Sequence, residues 1–202
     1  MLNLTNLKWS ESHGAINEHS GCGALYYAFT YMLRSKRCVC LGSGGGFVPS
    51  AMVKAQRLLI QENIIQTVDV TLVDANVGPW GLPLYKDQSY FDSIGYPEIK
   101  LVAKTTNDAA SLFDNIDYLH IDADHSYGGV LSDIYAYKDR MSKNSIITLH
   151  DTDNAVVCGG VPLGVWKAAQ EFVKNNPEYG IVNLHVGAGT AILGSNMGKY
   201  RE

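Results

Sequence analysis

No stretch of about 18 apolar residues occurs anywhere in the 202-residue sequence, so a membrane-spanning helix is not expected. The first residues, MLNLTNLKWSESHG, lack a basic start followed by a long apolar run and do not read as a targeting segment. No run of lysine and arginine stands out, and the 16 basic residues are outnumbered by 20 acidic ones, for a net charge of −4. A nucleic-acid or anionic-membrane partner is therefore not expected. The four cysteines, Cys22, Cys38, Cys40 and Cys158, show no C-x-x-C spacing, and Cys38 and Cys40 fall on one face of an apolar run. They read as buried thiols in a reducing compartment, so the expected location is the cytoplasm. There is no internal repeat. With 46% hydrophobic residues, 18% charged residues and 20 glycines, the chain is a globular protein rather than a fibrous or disordered one, long enough for one domain with a sizeable core.

The chain alternates strand-like and helix-like segments. Residues 1–20 are polar and carry His13 and His19; residues 1–24 are expected to form an arm or cap, and residues 25–202 a single domain. From Gly23, ALYYAFTYMLRS is apolar almost all round and predicts a buried helix. A short apolar strand over Cys38–Leu41 runs into a glycine-rich turn, Gly42 to Gly46, and a helix from about Pro49 to Gln61. Further strands are expected at Val68–Val73, Ile99–Ala103, Tyr118–Ile121 and Ser145–Leu149, with helices at DAASLF and Gly129–Met141. Residues 76–97 hold three of the six prolines and much aromatic character, which predicts a long irregular excursion of the functional kind, where Trp80 and Tyr90 could wall an acceptor pocket. Pro162 is expected to open a helix to about Asn175. The segments IVNLHVG and GTAILG have hairpin spacing. Strands alternating with helices mean a parallel sheet, and the terminal hairpin adds an antiparallel strand at its edge.

Chemistry concentrates where strands stop. DYLHIDADHSY delivers Asp122, Asp124 and His125, and SIITLHDTDN delivers His150, Asp151 and Asp153. In an open parallel sheet that edge is where ligands bind. Gly42, Gly44 and Gly46 stand at G-x-G-x-G spacing between a strand and a helix, which lets a backbone approach a ligand closely. Phe47 occupies the place of the third glycine of a dinucleotide fingerprint. Asp74, closing the next strand, is the acid expected to accept ribose hydroxyls. Together these predict a nucleoside-containing cofactor. His120, in mid-strand, reads as an interior histidine.

Through VCLGSGGGF, TLVDAN, YLHIDADHSY, SIITLHD and the closing hairpin, the chain resembles the class I S-adenosylmethionine-dependent methyltransferases, and within them the small metal-dependent O-methyltransferases. The resemblance implies a Rossmann-like three-layer α/β sandwich around a mostly parallel seven-stranded sheet with a C-terminal antiparallel hairpin. It implies S-adenosylmethionine held by Gly42, Ser43, Gly44, Gly46 and Asp74, with Asn107 and Asp108 near the adenine. It also implies a divalent cation, Mg²⁺ or Mn²⁺, on Asp122, His150 and Asp151, and His125 as catalytic base beside Asp122. Two positions depart from that pattern. Cys40 stands where an acid usually helps hold the methionine amino group, and His150 stands where a carboxylate is usual. The chemistry is coherent on its own terms: a sulfonium methyl group is already electrophilic, so transfer needs in-line positioning and removal of the acceptor's proton. Adjacent strand residues point to opposite faces, so His150 and Asp151 can share an ion only if the strand has already ended. The expected acceptor is a small-molecule hydroxyl, in a pocket that a second subunit could complete. Two other classes fit part of the pattern: an NAD(P)-dependent oxidoreductase, and a cofactor-binding protein without methyl transfer.

Overall fold

In the computed structural model, residues 2–5, 7, 10–75, 87–153, 157–158 and 161–195 are described. The strands are β1 (Cys38–Leu41), β2 (Val70–Val73), β3 (Ile99–Val102), β4 (Ile116–Ile121), β5 (Met141–His150), a two-residue pair β6 (Val157–Cys158) and β7 (Val161–Pro162), then β8 (Gly180–Leu184) and β9 (Thr190–Gly194). The helices are α1 (Gly23–Met32), α2 (Phe47–Gln61), α3 (Ser89–Ser93), α4 (Thr106–Ala109), α5 (Tyr127–Tyr137) and α6 (Val165–Asn175). Seven strands form one sheet in the order β3-β2-β1-β4-β5-β9-β8. From β3 to β5 the pairings are parallel, while β9 runs antiparallel to both β5 and β8. The antiparallel strand is thus one place in from the edge, and β8 holds the edge itself. Among the described residues no helix is long and apolar enough to cross a membrane.

Period-two alternation sends each strand's side chains into two separate cores. Val39 and Leu41 of β1, Leu119 and Ile121 of β4, and Ile147 and Leu149 of β5 pack with Val130, Ile134 and Tyr137 of α5 and Ala168, Ala169 and Phe172 of α6. Cys38 and Cys40, Val70 and Leu72, and Tyr118 face the other way, against Tyr26 of α1 and Phe47, Val48, Ala51 and Met52 of α2. That is the three-layer sandwich. His120, Thr148 and His150 alternate onto the α1/α2 side with Tyr118, where Asp122 continues the row one step past β4.

Two expectations are corrected here. Helix α1 is not buried all round: Gly23, Tyr26 and Thr30 form the buried stripe, while Met32 is 74% exposed. An apolar composition alone does not show how many neighbours a helix has, and α1 has layers on one side. Pro162 does not open α6; it pairs with Val157 in the small ribbon, a site where its missing N–H costs little, and α6 begins at Val165 behind Gly164. Of the long excursion, Trp80 and its neighbours over 76–86 lie outside the described residues. Tyr90, on α3, donates its hydroxyl to the Gly45 carbonyl at 2.8 Å.

The strand order reverses direction about β1, between β2 and β4, and the turn after β1 is built for close approach. Gly42, Gly44 and Gly46 all have left-handed backbones, with φ of 67°, 53° and 81°. A Cβ on Gly42 would lie 2.3 Å from the Asp122 carbonyl oxygen. Backbone bonds tie the strand ends together: Gly42 N–H to Val73 O, Asp74 N–H to Val102 O, and Asp122 N–H to Leu41 O. Gly42→Ala is therefore expected to cost about 3 kcal/mol or more, through both strain and displacement of Asp122. Gly128, in the first turn of α5, meets nothing within 4 Å, and Gly128→Ala should stabilise by roughly 0.5–1 kcal/mol. Urea titration of the two variants beside the parent chain measures both, and similar midpoints for the pair would refute the close-approach argument.

Candidate functional site

Four of the side chains singled out by sequence converge at the carboxyl ends of β4 and β5. His125 Nε2 lies 3.1 Å from Asp122 Oδ1 and 3.0 Å from Asp151 Oδ2. His150 Nδ1 lies 3.3 Å from the same Asp122 oxygen and 3.2 Å from Asp151 Oδ1. Two imidazoles thus each bridge two carboxylates. The alternation problem is resolved by the backbone: β5 ends at His150, and Asp151 adopts a left-handed φ of 58°. That conformation is uncommon for a residue with a Cβ, is tolerated best by Asn and Asp, and turns Asp151 back to the side His150 occupies. Backbone strain of this kind persists where neighbouring contacts over-determine it.

The loop carrying His125 is fixed at both ends. Asp124 Oδ1 accepts the Ser126 N–H at 2.8 Å, Ser126 caps α5 by accepting the Gly129 N–H, and the His125 carbonyl accepts the Gly164 N–H at 2.8 Å. Asp124 therefore shapes the turn. Asp153 instead meets His185 at 2.7 Å, away from the cluster.

The arm supplies a residue whose role the sequence left undecided. His13, in a short 3-10 turn over Ser10–His13, is 2% exposed. Its Nε2 is 3.8 Å from Asp122 Oδ2, its ring centroid is 4.1 Å from that of His150, and its Nδ1 is 3.1 Å from the Tyr26 hydroxyl. His19 sits exposed in a turn. His120 is an interior residue as expected: its Nδ1 is 2.8 Å from Thr148 Oγ1, which donates to the Tyr118 hydroxyl at 3.1 Å.

Burial and charge divide these histidines into two kinds. Burial would lower His125, but its hydrogen bonds to Asp122 and Asp151 and their charges outweigh that and hold it at about 10. His150, likewise lowered by burial, is raised above its ordinary value by the charge of Asp122 and the bond to it. Burial would raise Asp122, yet the His150 charge and the bonds from both imidazoles hold it well below the usual carboxylate range. His13 and His120 go the other way. Burial, reinforced by the His150 charge at His13, keeps both below the ordinary value, His120 at about 3.

The glycine turn faces this cluster from β1. Ser43 is buried, and Gly46 precedes α2 with no side chain capping the helix. Asp74 is half-buried at the end of β2. Cys40 is fully buried and donates its thiol to the Gly42 carbonyl at 2.9 Å; burial, and then the Asp122 charge, push that thiol well up, so it is neutral. At the end of β3, Thr105 caps α4 by accepting the Asp108 N–H and gives its hydroxyl to Asp108 Oδ2 at 2.7 Å. Asn107 Oδ1 accepts from Ser132 at 3.1 Å. Both Asn107 and Asp108 are exposed.

Residues 39–152 match the model of a family described as a methyltransferase domain, more than half of the chain. The chain belongs to this methyltransferase-domain family. The matched span runs from β1 through Asp151 and so contains the glycine turn, Asp74, Asp122 and His125; membership sets aside the nicotinamide oxidoreductase alternative. Solved methyltransferases share the fold at low identity. A methyltransferase from Geobacter sulfurreducens is similar at TM-score 0.63 and 14% identity, over 86% of this chain and 78% of that one. An O-methyltransferase from Bacillus cereus in complex with SAH gives 0.63 and 11%, over 85% and 79%. An O-methyltransferase from Streptomyces achromogenes in complex with SAM gives 0.61 and 9%, over 91% and 86%. No curated protein sequence matches the chain.

The His125 shift fixes the sign of a stability effect in metal-free protein. A raised histidine stabilises the fold fully below its unfolded value near 6.5, and that contribution is lost as pH climbs toward about 10. Chelator-treated protein should lose stability over this window more steeply than His125→Asn, by up to about 1.4 kcal/mol per pH unit, the slope for one proton. Denaturation at pH 7, 8, 9 and 10 measures it, and parallel curves for the two proteins would contradict the bridging geometry.

Proposed function

We propose that the chain is an S-adenosylmethionine-dependent O-methyltransferase acting on a small-molecule hydroxyl with the help of a divalent cation. The observation that carries this reading is the convergence of Asp122, His125, His150 and Asp151 beside the glycine turn of a methyltransferase domain. Residues 25–202 would be the catalytic domain, with the arm of residues 1–24 as its cap. Gly42, Ser43, Gly44 and Gly46 would receive the cofactor, Asp74 its ribose hydroxyls, and Asn107 and Asp108 the edge of its adenine. The SAH and SAM complexes of the Bacillus and Streptomyces enzymes support that choice of cofactor. A cytoplasmic setting and a pocket shared between two copies belong to the same proposal.

The donor set suits a cation. Cis donors about 2.1 Å from an ion stand about 3.0 Å apart in an octahedron, and His150 Nδ1 lies 3.3 Å from Asp122 Oδ1 and 3.2 Å from Asp151 Oδ1. Asp122, His150 and Asp151 would hold the ion. When bound, it would lower the pKa of an acceptor hydroxyl and draw off the carboxylate charge that otherwise keeps His125 protonated. His125 takes the acceptor's proton at Nε2, the nitrogen that faces both carboxylates. Asp122 and Asp151 orient that ring and offset the positive charge it gains. The neutral Cys40 thiol adds no charge for the methionine ammonium, so the backbone carbonyls of the turn are left to hold it.

Calorimetric titration with S-adenosylhomocysteine, with Mg²⁺ or Mn²⁺ and after chelation, tests the cofactor and the ion together. Micromolar binding is expected, and its absence in every condition would end the proposal. With an acceptor found among catechols and diols, His125→Ala should lower kcat about 10²–10⁴-fold, and Asp122→Ala should remove the metal dependence of turnover. Cofactor binding with no transfer to any acceptor would favour the non-catalytic alternative.

A further inference from the structure

We propose that His13, carried by the N-terminal arm, is a ligand of the cation held at Asp122 and His150, and that the site consequently prefers Mn²⁺, Co²⁺ or Zn²⁺ to Mg²⁺ or Ca²⁺. The inference rests on the metal reading above and adds to it a ligand from outside the residues that match the methyltransferase family, which begin at Val39.

One possible ligand atom from each of His13, Asp122 and His150 lies within 4.8 Å of the others. The 3.8 Å between His13 Nε2 and Asp122 Oδ2 is too long for a hydrogen bond. It is within the about 4.2 Å that two donors can span when each is about 2.1 Å from one ion. The ring is also oriented as ligating histidines are: its other nitrogen, Nδ1, is engaged by the Tyr26 hydroxyl at 3.1 Å, leaving Nε2 for the carboxylate. Phe47 stacks on the imidazole at 4.7 Å with its plane 17° away, which restricts rotation. His150, the other imidazole of the group, is 2% exposed, and its ring centroid lies 4.1 Å from that of His13.

The preference follows from the donor set. Two imidazoles with one or two carboxylates replace the oxygen-rich ligation that suits Mg²⁺ and Ca²⁺, and imidazole raises affinity along the divalent series toward zinc. It also joins the arm to the sheet. The His13 carbonyl accepts the Cys22 N–H at 2.7 Å, so an ion on His13 would tie residues 10–22 to the ends of β4 and β5.

Tag-free protein titrated calorimetrically with Mg²⁺, Mn²⁺ and Zn²⁺ tests the preference, and His13→Ala and Tyr26→Phe test the ligand. Zn²⁺ is expected to bind at least about 100-fold more tightly than Mg²⁺. His13→Ala should weaken Zn²⁺ at least about tenfold, and Tyr26→Phe about tenfold, with S-adenosylhomocysteine affinity unchanged as evidence of an intact fold. Equal affinity for Mg²⁺ and Zn²⁺, or parent-like Zn²⁺ binding by His13→Ala, overturns the inference. If His13→Ala does not fold, amide exchange of the parent chain decides: Zn²⁺ should protect residues 10–22, and unchanged exchange there overturns it. Asp122→Ala separates the two levels. Loss of all metal binding in that variant with none lost in His13→Ala keeps the metal site and removes His13 from it, whereas parent-like binding by Asp122→Ala removes the site itself.

Discussion

Two carboxylates held at the ends of neighbouring strands repel each other, and the rest of the site is arranged around that repulsion. Candidate ligand atoms of Asp122 and Asp151 lie within 4.8 Å of one another, where two unit charges at an effective dielectric of 20 repel by about 3–4 kcal/mol. Neither residue can leave. Asp122 is fixed by its backbone bond to Leu41, and Asp151 directly follows a ten-residue strand. Counter-charge must therefore come to them, and His125 and His150 each bring one imidazole to both acids. The dication of the proposal would relieve the same repulsion, neutralising two carboxylates without requiring either histidine to be protonated.

The sheet explains why these groups meet on one side. Alternation places Tyr118, His120 and Asp122 in a row on the α1/α2 face of β4, with Thr148 and His150 opposite them on β5. Polar atoms so deep in a core are tolerated when bonded to one another, and the Tyr118–Thr148–His120 chain meets most of that need. Because α1 follows directly from the arm, the segment that covers this face also carries His13 onto it. The layer that packs the core and the layer that closes the site are the same layer.

Much of this was legible from local pattern. Short apolar runs ending in acids or histidine located β2, β4 and β5, a run ending in glycines located β1, and G-x-G-x-G anticipated a turn of close backbone approach before α2. The site residues on β4 and β5 were visible because each lies within a few positions of a strand end. What depended on tertiary neighbours was not legible. The apolar surface of α1 gave no sign that only Gly23, Tyr26 and Thr30 would be buried. Pro162 has the same φ preference at a helix start and in an edge ribbon. The place of β9, between β5 and β8, is set by pairing rather than by composition. His13 was legible only as part of an arm or cap, its place undecided: it lies more than 100 positions from Asp122 in a polar segment without periodicity, and the path of residues 10–22 alone brings it to the site.

Cys40 shows how the charge balance reaches beyond the cluster. It occupies the place where the resembling enzymes carry an acid, on the same face of the sheet as Asp122, and the charge of Asp122 is one of the causes that push its thiol up. A carboxylate there would be a further negative group in a fully buried position, with His125 and His150 already committed to Asp122 and Asp151. A thiol costs little to bury and remains neutral, and its hydrogen closes the turn by bonding the Gly42 carbonyl. Asp122 and Asp151 are thereby left as the acids at the ends of β4 and β5.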